Sequence, residues 1–207
     1  MVSVNIQSSI LISGNVKIYF DPINMDKRYD ADYIFITHSH YDHFSKEDIL
    51  KLKNDNTIIV GPYDIYDKCL EMGFSKENVI KVKPYEEYNY GVIKVKTVPA
   101  YNLNKPFHPK ENGWVGYVLE FEGKTYYVAG DTDGLDENLS IAADMAFIPI
   151  GGTYTMDALE ASDFVNKLKP KTVVPIHYGM VVGNEDDLNK FIENVDSSIE
   201  VKVLLGK

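Results

Sequence analysis

Along the first third of the chain, short β-branched and aromatic runs alternate with polar, helix-favouring stretches. Residues 10–12 and 16–20 are two such runs separated by Ser13-Gly14-Asn15, a spacing that predicts a hairpin. Asp21-Pro22 ends the second run, because proline removes a ladder donor. Residues 33–36 read as a buried strand ending at Thr37. Ser45 before Glu47 and Asp48 is an N-cap serine with acids in the first turn, which predicts a helix over about 45–53. A strand at 57–60 follows. Gly61-Pro62 then opens a helix with Ile65, Cys69, Leu70 and Met72 on its apolar face and Gly73 as its stop, before a strand at 79–82. This alternation implies a layered α/β fold.

The middle of the chain predicts consecutive strands at 88–90, 92–98, 114–121 and 125–129, with Glu122-Gly123-Lys124 as a tight turn between the last two. The long polar segment between Pro99 and Gly113 interrupts them, and loops of that length in compact domains are usually functional. A strand at 145–150, a helix at about 157–169, a strand at 172–176, a helix at about 185–194 and a strand at 201–204 complete the expected order. Neither an internal repeat nor a linker stands out, so one domain over residues 1–207 is expected.

The chemistry concentrates in Thr37-His38-Ser39-His40-Tyr41-Asp42-His43, which holds three of the five histidines. It lies between a strand and a helix start, where side chains can converge on a point. His38 and His40, two apart in an extended segment, point the same way, and Asp42 and His43 follow a turn and can address a second point nearby. Imidazole and carboxylate together suit zinc, manganese or iron. Asp131 and His177 each follow an apolar run, and parallel strands would deliver both to one sheet edge.

At these residues the chain resembles the metallo-β-lactamase-fold superfamily, whose His-x-His-x-Asp-His signature stands complete as His38, His40, Asp42 and His43. Gly130-Asp131-Thr132 and Ile176-His177-Tyr178-Gly179 resemble its later motifs in order and spacing. Residues 147–156 and 175–179 are most similar to a branch of small metal-dependent hydrolases. That branch includes the ascorbate-6-phosphate lactonases and the phospholipase D acting on N-acyl ethanolamine phospholipids. The resemblance implies a four-layer αβ/βα sandwich with two divalent metal ions, zinc foremost and manganese or iron as alternatives. His38 and His40 would hold the first ion, Asp42, His43 and His177 the second, and Asp131 would bridge them. The implied reaction is attack by a metal-bound hydroxide on an ester, lactone or phosphodiester of a small anionic substrate, with Asp42 orienting the nucleophile or carrying a proton.

One ligand departs from the family pattern. The usual third histidine of the first site would follow the strand at 92–98, where this chain has Asn102. An amide oxygen replaces imidazole poorly on such an ion, and His108, flanked by Pro106 and Pro109, is the expected substitute. On that view Asn102 contributes little. A metal-binding sensor, or a binding protein whose catalysis has lapsed, is the alternative that this departure keeps open. Tyr101, Lys105, Tyr154, Thr155 and Tyr178 are the expected substrate contacts, with Lys105 as the point charge for an anion.

Composition narrows the partners. A net charge of −10 argues against a nucleic-acid-coating surface. A lone Cys69 excludes an internal disulfide and fits a reducing cytoplasm, no apolar run is long enough for a membrane span, and no signal-peptide pattern opens the chain.

Overall fold

The computed structural model of the protein describes residues 1–205. The first half forms a six-stranded sheet in simple chain order: β1 (Val2–Val4), β2 (Ile10–Ser13), β3 (Lys17–Phe20), β4 (Tyr33–Phe35), β5 (Ile58–Pro62) and β6 (Val79–Val82). The first three strands pair antiparallel and β3 to β6 pair parallel. Helices α1 (Lys46–Leu52) and α2 (Tyr66–Glu71) supply the parallel crossovers.

The second half forms a seven-stranded sheet from β7 (Glu87–Asn89), β8 (Ile93–Pro99), β9 (Val115–Phe121), β10 (Lys124–Val128), β11 (Met145–Pro149), β12 (Thr172–Ile176) and β13 (Glu200–Val201). Pairing is antiparallel from β7 to β10 and parallel from β10 to β13. Helices α3 (Ala158–Leu168) and α4 (Glu185–Asn194) connect its parallel part, each opened by a capping box, at Asp157 and Asn184.

Side-chain alternation turns these sheets into four layers. Phe35 of β4, Val60 of β5, Val128 of β10 and Val174 of β12 share one core between the sheets. Their neighbours face outward. Ile34 and Ile59 pack with Ile49 and Leu52 of α1, while Tyr127 and Val173 pack with Phe164 and Val165 of α3 and Phe191 of α4. The fold is the expected αβ/βα sandwich. Among the described residues, no helix is long and apolar enough to cross a membrane.

Three local expectations shift. The strand at 57–60 runs on through Gly61 and Pro62, which pair with Lys81 and Val82, so the next helix starts only after a single 3-10 turn at Tyr63–Ile65. A side chain at Gly61 would collide with Ile65 and Ile36, which explains why glycine stands there. The last strand is Glu200–Val201 alone, because Leu205 crosses over to bridge Val4 of the other sheet. The edge strand β1 has no counterpart in the predicted order.

The same edge of both sheets carries the site. Phe20 and Phe35 are register partners in parallel strands, so Asp21 and Thr37 leave their strands side by side. The parallel register of β10, β11 and β12 does the same for the segments that hold Asp131 and His177. Hydrogen bonds then join the two sheets at this edge: Tyr117 Oη donates to the Ile36 carbonyl at 2.7 Å, Val115 N to Thr37 O at 3.2 Å, and His177 N to Gln7 O at 3.0 Å.

Candidate metal centre

The loop after β4 turns sharply, with the amides of His43 and Phe44 both donating to the His40 carbonyl at 3.0 and 2.8 Å. That turn separates the side chains of His38 and His40 from those of Asp42 and His43. Three overlapping donor groups result: His38, His40 and His108; His38, His43 and Asp131; and Asp42, His43 and His177, each with ligand atoms within 4.8 Å of one another. Asp131 is common ground. Its Oδ2 lies 3.0 Å from His177 Nε2, 3.4 Å from His108 Nε2 and 3.9 Å from His38 Nε2, and its Oδ1 lies 3.2 Å from His43 Nε2.

His40 is half-buried, and His38, Asp42, His43, His108, Asp131 and His177 are buried. Nε2 of His43, Nε2 of His108, Oδ1 of Asp131 and both ring nitrogens of His177 are sealed from solvent without a hydrogen-bond partner among the described residues. Orphaned polar atoms at this density are costly unless something joins them, and lone pairs converging from imidazoles and carboxylates fit divalent transition-metal ions. The donor set therefore passes the chemical test for the ions that the sequence implies.

Protonation in the metal-free protein follows from burial and neighbours. Burial, reinforced by the charge of His43, holds His38 well below the usual imidazole range. At His177 burial pulls the other way, but the Asp131 carboxylate outweighs it and pushes the pKa up to about 9. Burial opposes ionisation of Asp131 too, yet His177 and His43 hold its carboxyl well below the ordinary value. Burial opposes ionisation of Asp42 as well, but His177 and His43 together hold its carboxyl below the ordinary value. The carboxylates are thus ready as ligands at neutral pH, whereas His177 carries a proton that a cation must displace.

Residues behind the donors fix their aim. Asp21 is fully buried and accepts from His43 Nδ1 at 2.8 Å and from Thr37 N and Oγ1 at 2.8 and 2.6 Å. Its φ of 43° and that of His177, 57°, are left-handed values that non-glycine residues hold only when their surroundings demand it. Gly130 lets Asp131 approach, since a Cβ there would sit 3.1 Å from Thr37 Cβ. Gln7 Nε2 donates to Asp42 Oδ2 at 3.1 Å. Trp114 lies with its ring centroid 4.9 and 4.8 Å from those of His38 and His40, and its Nε1 donates at 3.0 Å to Asp64, which also holds Ser39.

Asn102, expected to contribute little as a ligand, stands behind His108 in the structure. Its Nδ2 donates to Tyr154 O at 2.9 Å and to Asp133 Oδ1 at 3.2 Å, which orients the amide. Its Oδ1 then accepts from His108 N at 3.1 Å and faces His108 Nδ1 at 3.0 Å. With Nδ1 as the protonated nitrogen, Nε2 keeps its lone pair toward Asp131 and the other histidines. The loop thus brings His108 within ligand distance of His38 and His40.

Of the five expected substrate contacts, Tyr154 lines the mouth of the cluster. Lys105 does not: its Nζ donates to Asp133 at 2.6 Å and lies 3.4 Å from Glu160, in a separate cavity, because two carboxylates outcompete the open cleft. Tyr101 turns its hydroxyl to Glu137 at 2.7 Å. Thr155 is fully buried with its hydroxyl on the Met156 carbonyl, and Tyr178 is buried in the core beneath α3 and α4. The mouth instead exposes Tyr41, Phe107 and Val181. Among these additions only Asp21 carried a signal in the sequence, as the aspartate-proline pair closing a strand.

Comparison with known proteins places the chain among relatives. A family model described as a beta-lactamase superfamily domain matches residues 4–177. A UPF0173 metal-dependent hydrolase of Staphylococcus aureus (strain bovine RF122 / ET3-1) is 35% identical over 213 residues, covering 92% of this chain and 90% of that protein. Among solved structures, one from Parabacteroides distasonis superposes with a TM-score of 0.84 at 26% identity, covering 98% of this chain and 91% of that one. Igni18, a metallo hydrolase of the archaeon Ignicoccus hospitalis, matches in fold with a TM-score of 0.79 at 22% identity, over 99% of this chain and 94% of its own. By sequence and by fold, the chain belongs to the beta-lactamase superfamily and, within it, to the UPF0173 family.

Proposed function

We propose that residues 1–207 act as one hydrolase domain that cleaves an ester, lactone or phosphodiester bond of a small substrate with two divalent transition-metal ions, zinc foremost. The observation that carries this reading is the set of orphaned donor atoms around Asp131, buried and aimed at one another. His38, His40 and His108 would hold one ion, and Asp42, His43 and His177 the other, with Asp131 between them. When bound, such ions supply Lewis acidity and bring the pKa of water toward neutrality. The name of the Staphylococcus relative, a metal-dependent hydrolase, supports the same chemistry.

The chain's own groups then divide the remaining work. Asp42 lines the mouth, and its Oδ2 accepts from Gln7 Nε2 at 3.1 Å and faces His177 Nε2 at 3.5 Å. A carboxylate held below its usual pKa and open to the cleft can orient an attacking water and carry its proton toward the leaving group. Trp114 and Asp64 keep the His38–His40 loop in place while the substrate enters.

A direct test loads the purified protein with zinc, manganese or iron and screens phosphodiesters, lactones and phosphomonoesters side by side. Metal content of one to two ions per chain and turnover abolished by chelation are expected. Full activity in rigorously metal-free protein would overturn the reading.

A further inference from the structure

The donor cluster opens into a cavity of about 350 Å³ whose floor includes His40, Asp42, His108 and Asp131. Its walls are Tyr41, Phe107, Tyr154 and Val181, and among the described residues no lysine or arginine lines it. Tyr41 is 73% exposed and Phe107 40% exposed, and with Tyr154 and Val181 they line one continuous wall beside the donor atoms. Phe107 meets Tyr154 edge to face with centroids 4.7 Å apart, so the two rings form one wall.

That wall is fixed to the donor set. Phe107 directly precedes His108, whose backbone is tied to Asn102 on both sides, by Asn102 N to His108 O at 2.8 Å and His108 N to Asn102 Oδ1 at 3.1 Å. The Asn102 amide also holds the Tyr154 carbonyl at 2.9 Å. One buried amide therefore sets both the His108 imidazole and the aromatic wall above it. Meanwhile Lys105, the cation expected to greet an anion, is committed to Asp133 and Glu160 in another cavity. Above the donor atoms the wall offers rings and an aliphatic side chain, so a charged group extending beyond the reacting bond would find no lysine or arginine there to pair with it.

Resting on the hydrolase reading above, we propose that the non-reacting part of the substrate is uncharged and apolar, with an aromatic or similarly flat group seated against Phe107, Tyr154 and Val181. The reacting ester or lactone group faces the donor atoms below. Selectivity then comes from apolar contact and from the absence of a counter-ion for charged tails.

Hydroxamates test this, because one metal-binding head can carry different tails. Affinities of benzohydroxamate, acetohydroxamate and a hydroxamate with a carboxylate-ended tail are measured by calorimetry on zinc-loaded protein. The aryl probe should bind about tenfold tighter than the methyl one, and the carboxylate-tailed probe weakest. Phe107→Ala, at an exposed position that leaves the core intact, should close most of the gap between aryl and methyl probes, with an unchanged melting temperature as the folding control. Equal or tighter binding of the carboxylate-tailed probe would overturn the proposal, as would an aryl preference that survives Phe107→Ala, or no binding of any probe. Turnover is read separately: tight aryl binding without hydrolysis of any ester would sink the hydrolase reading and leave the apolar mouth standing.

Discussion

His43 and His108 are both buried imidazoles whose Nε2 atoms face Asp131, at 3.2 and 3.4 Å, yet different groups stand behind them. Behind His43 is the Asp21 carboxylate at 2.8 Å, itself fully buried and held by Thr37. Behind His108 is the Asn102 amide at 3.0 Å. A carboxylate both orients an imidazole and strengthens it as a donor, whereas a neutral amide only orients it. Every member of the groups around His43 is buried, although Asp42 and Asp131 also line the mouth, while the group around His108 includes half-buried His40. On the two-ion reading proposed above, the two halves would differ in how firmly their imidazoles are backed, by a charge behind His43 and by a neutral amide behind His108.

The comparison is broken most severely at the residue the halves share. Asp131→Ala should weaken metal binding at both, by on the order of 100-fold or more, as read by calorimetric titration of metal-free protein. Loss confined to one site would show that Asp131 does not bridge them. Next, Asp21→Asn keeps the shape behind His43 but removes the charge. It should lower affinity at the His43 site by roughly 10–100-fold and leave the His108 site nearly unchanged. Equal losses at both sites would mean that Asp21 is a folding residue.

Asn102→Ala should have a smaller effect, about tenfold and confined to the His108 site, because His108 remains but loses its orientation. His108→Ala, which removes the donor itself, should exceed it at the same site. An Asn102→Ala protein with unaltered affinity would return this residue to the minor role that the sequence alone suggests. The mildest test uses pH. His177 in the metal-free protein is raised to about 9 from an ordinary value near 6.5. Its contribution to stability is therefore fully present below about pH 6.5 and is lost as pH rises through 9. The melting temperature of metal-free protein should fall between pH 7 and 10, and the fall should be absent once metal replaces the proton. A pH-independent metal-free protein would contradict the Asp131–His177 pairing.

Much of the architecture was legible because its signals are local. The helix at Glu185–Asn194 and the strands at Val79–Val82 and Thr172–Ile176 stand where periodicity and caps put them. Hydrophobic alternation needs only neighbouring residues to declare itself, and so does the His38–His43 cluster, which one loop holds in one place. The segment between Pro99 and Gly113 behaved differently. Lys105 and Tyr101 belong to a polar loop near the site, but their partners, Asp133, Glu160 and Glu137, come from distant segments. Only the folded chain reveals which acid reaches each side chain first.

The sequence by itself determined the layered α/β order and the metal-binding character of the loop after β4, while His108 was nominated only through the family resemblance. Spacing, residue chemistry and proline restriction are properties of the chain before it folds. What stands behind each ligand was decided by tertiary structure alone. Asp21 reaches His43 because β3 and β4 lie side by side in parallel register, and Asn102 serves His108 because an amide oriented by Asp133 and the Tyr154 carbonyl turns its oxygen inward. Hydrogen bonds between residues far apart in the chain depend on positions fixed by the packing of two sheets, and no local pattern encodes those positions.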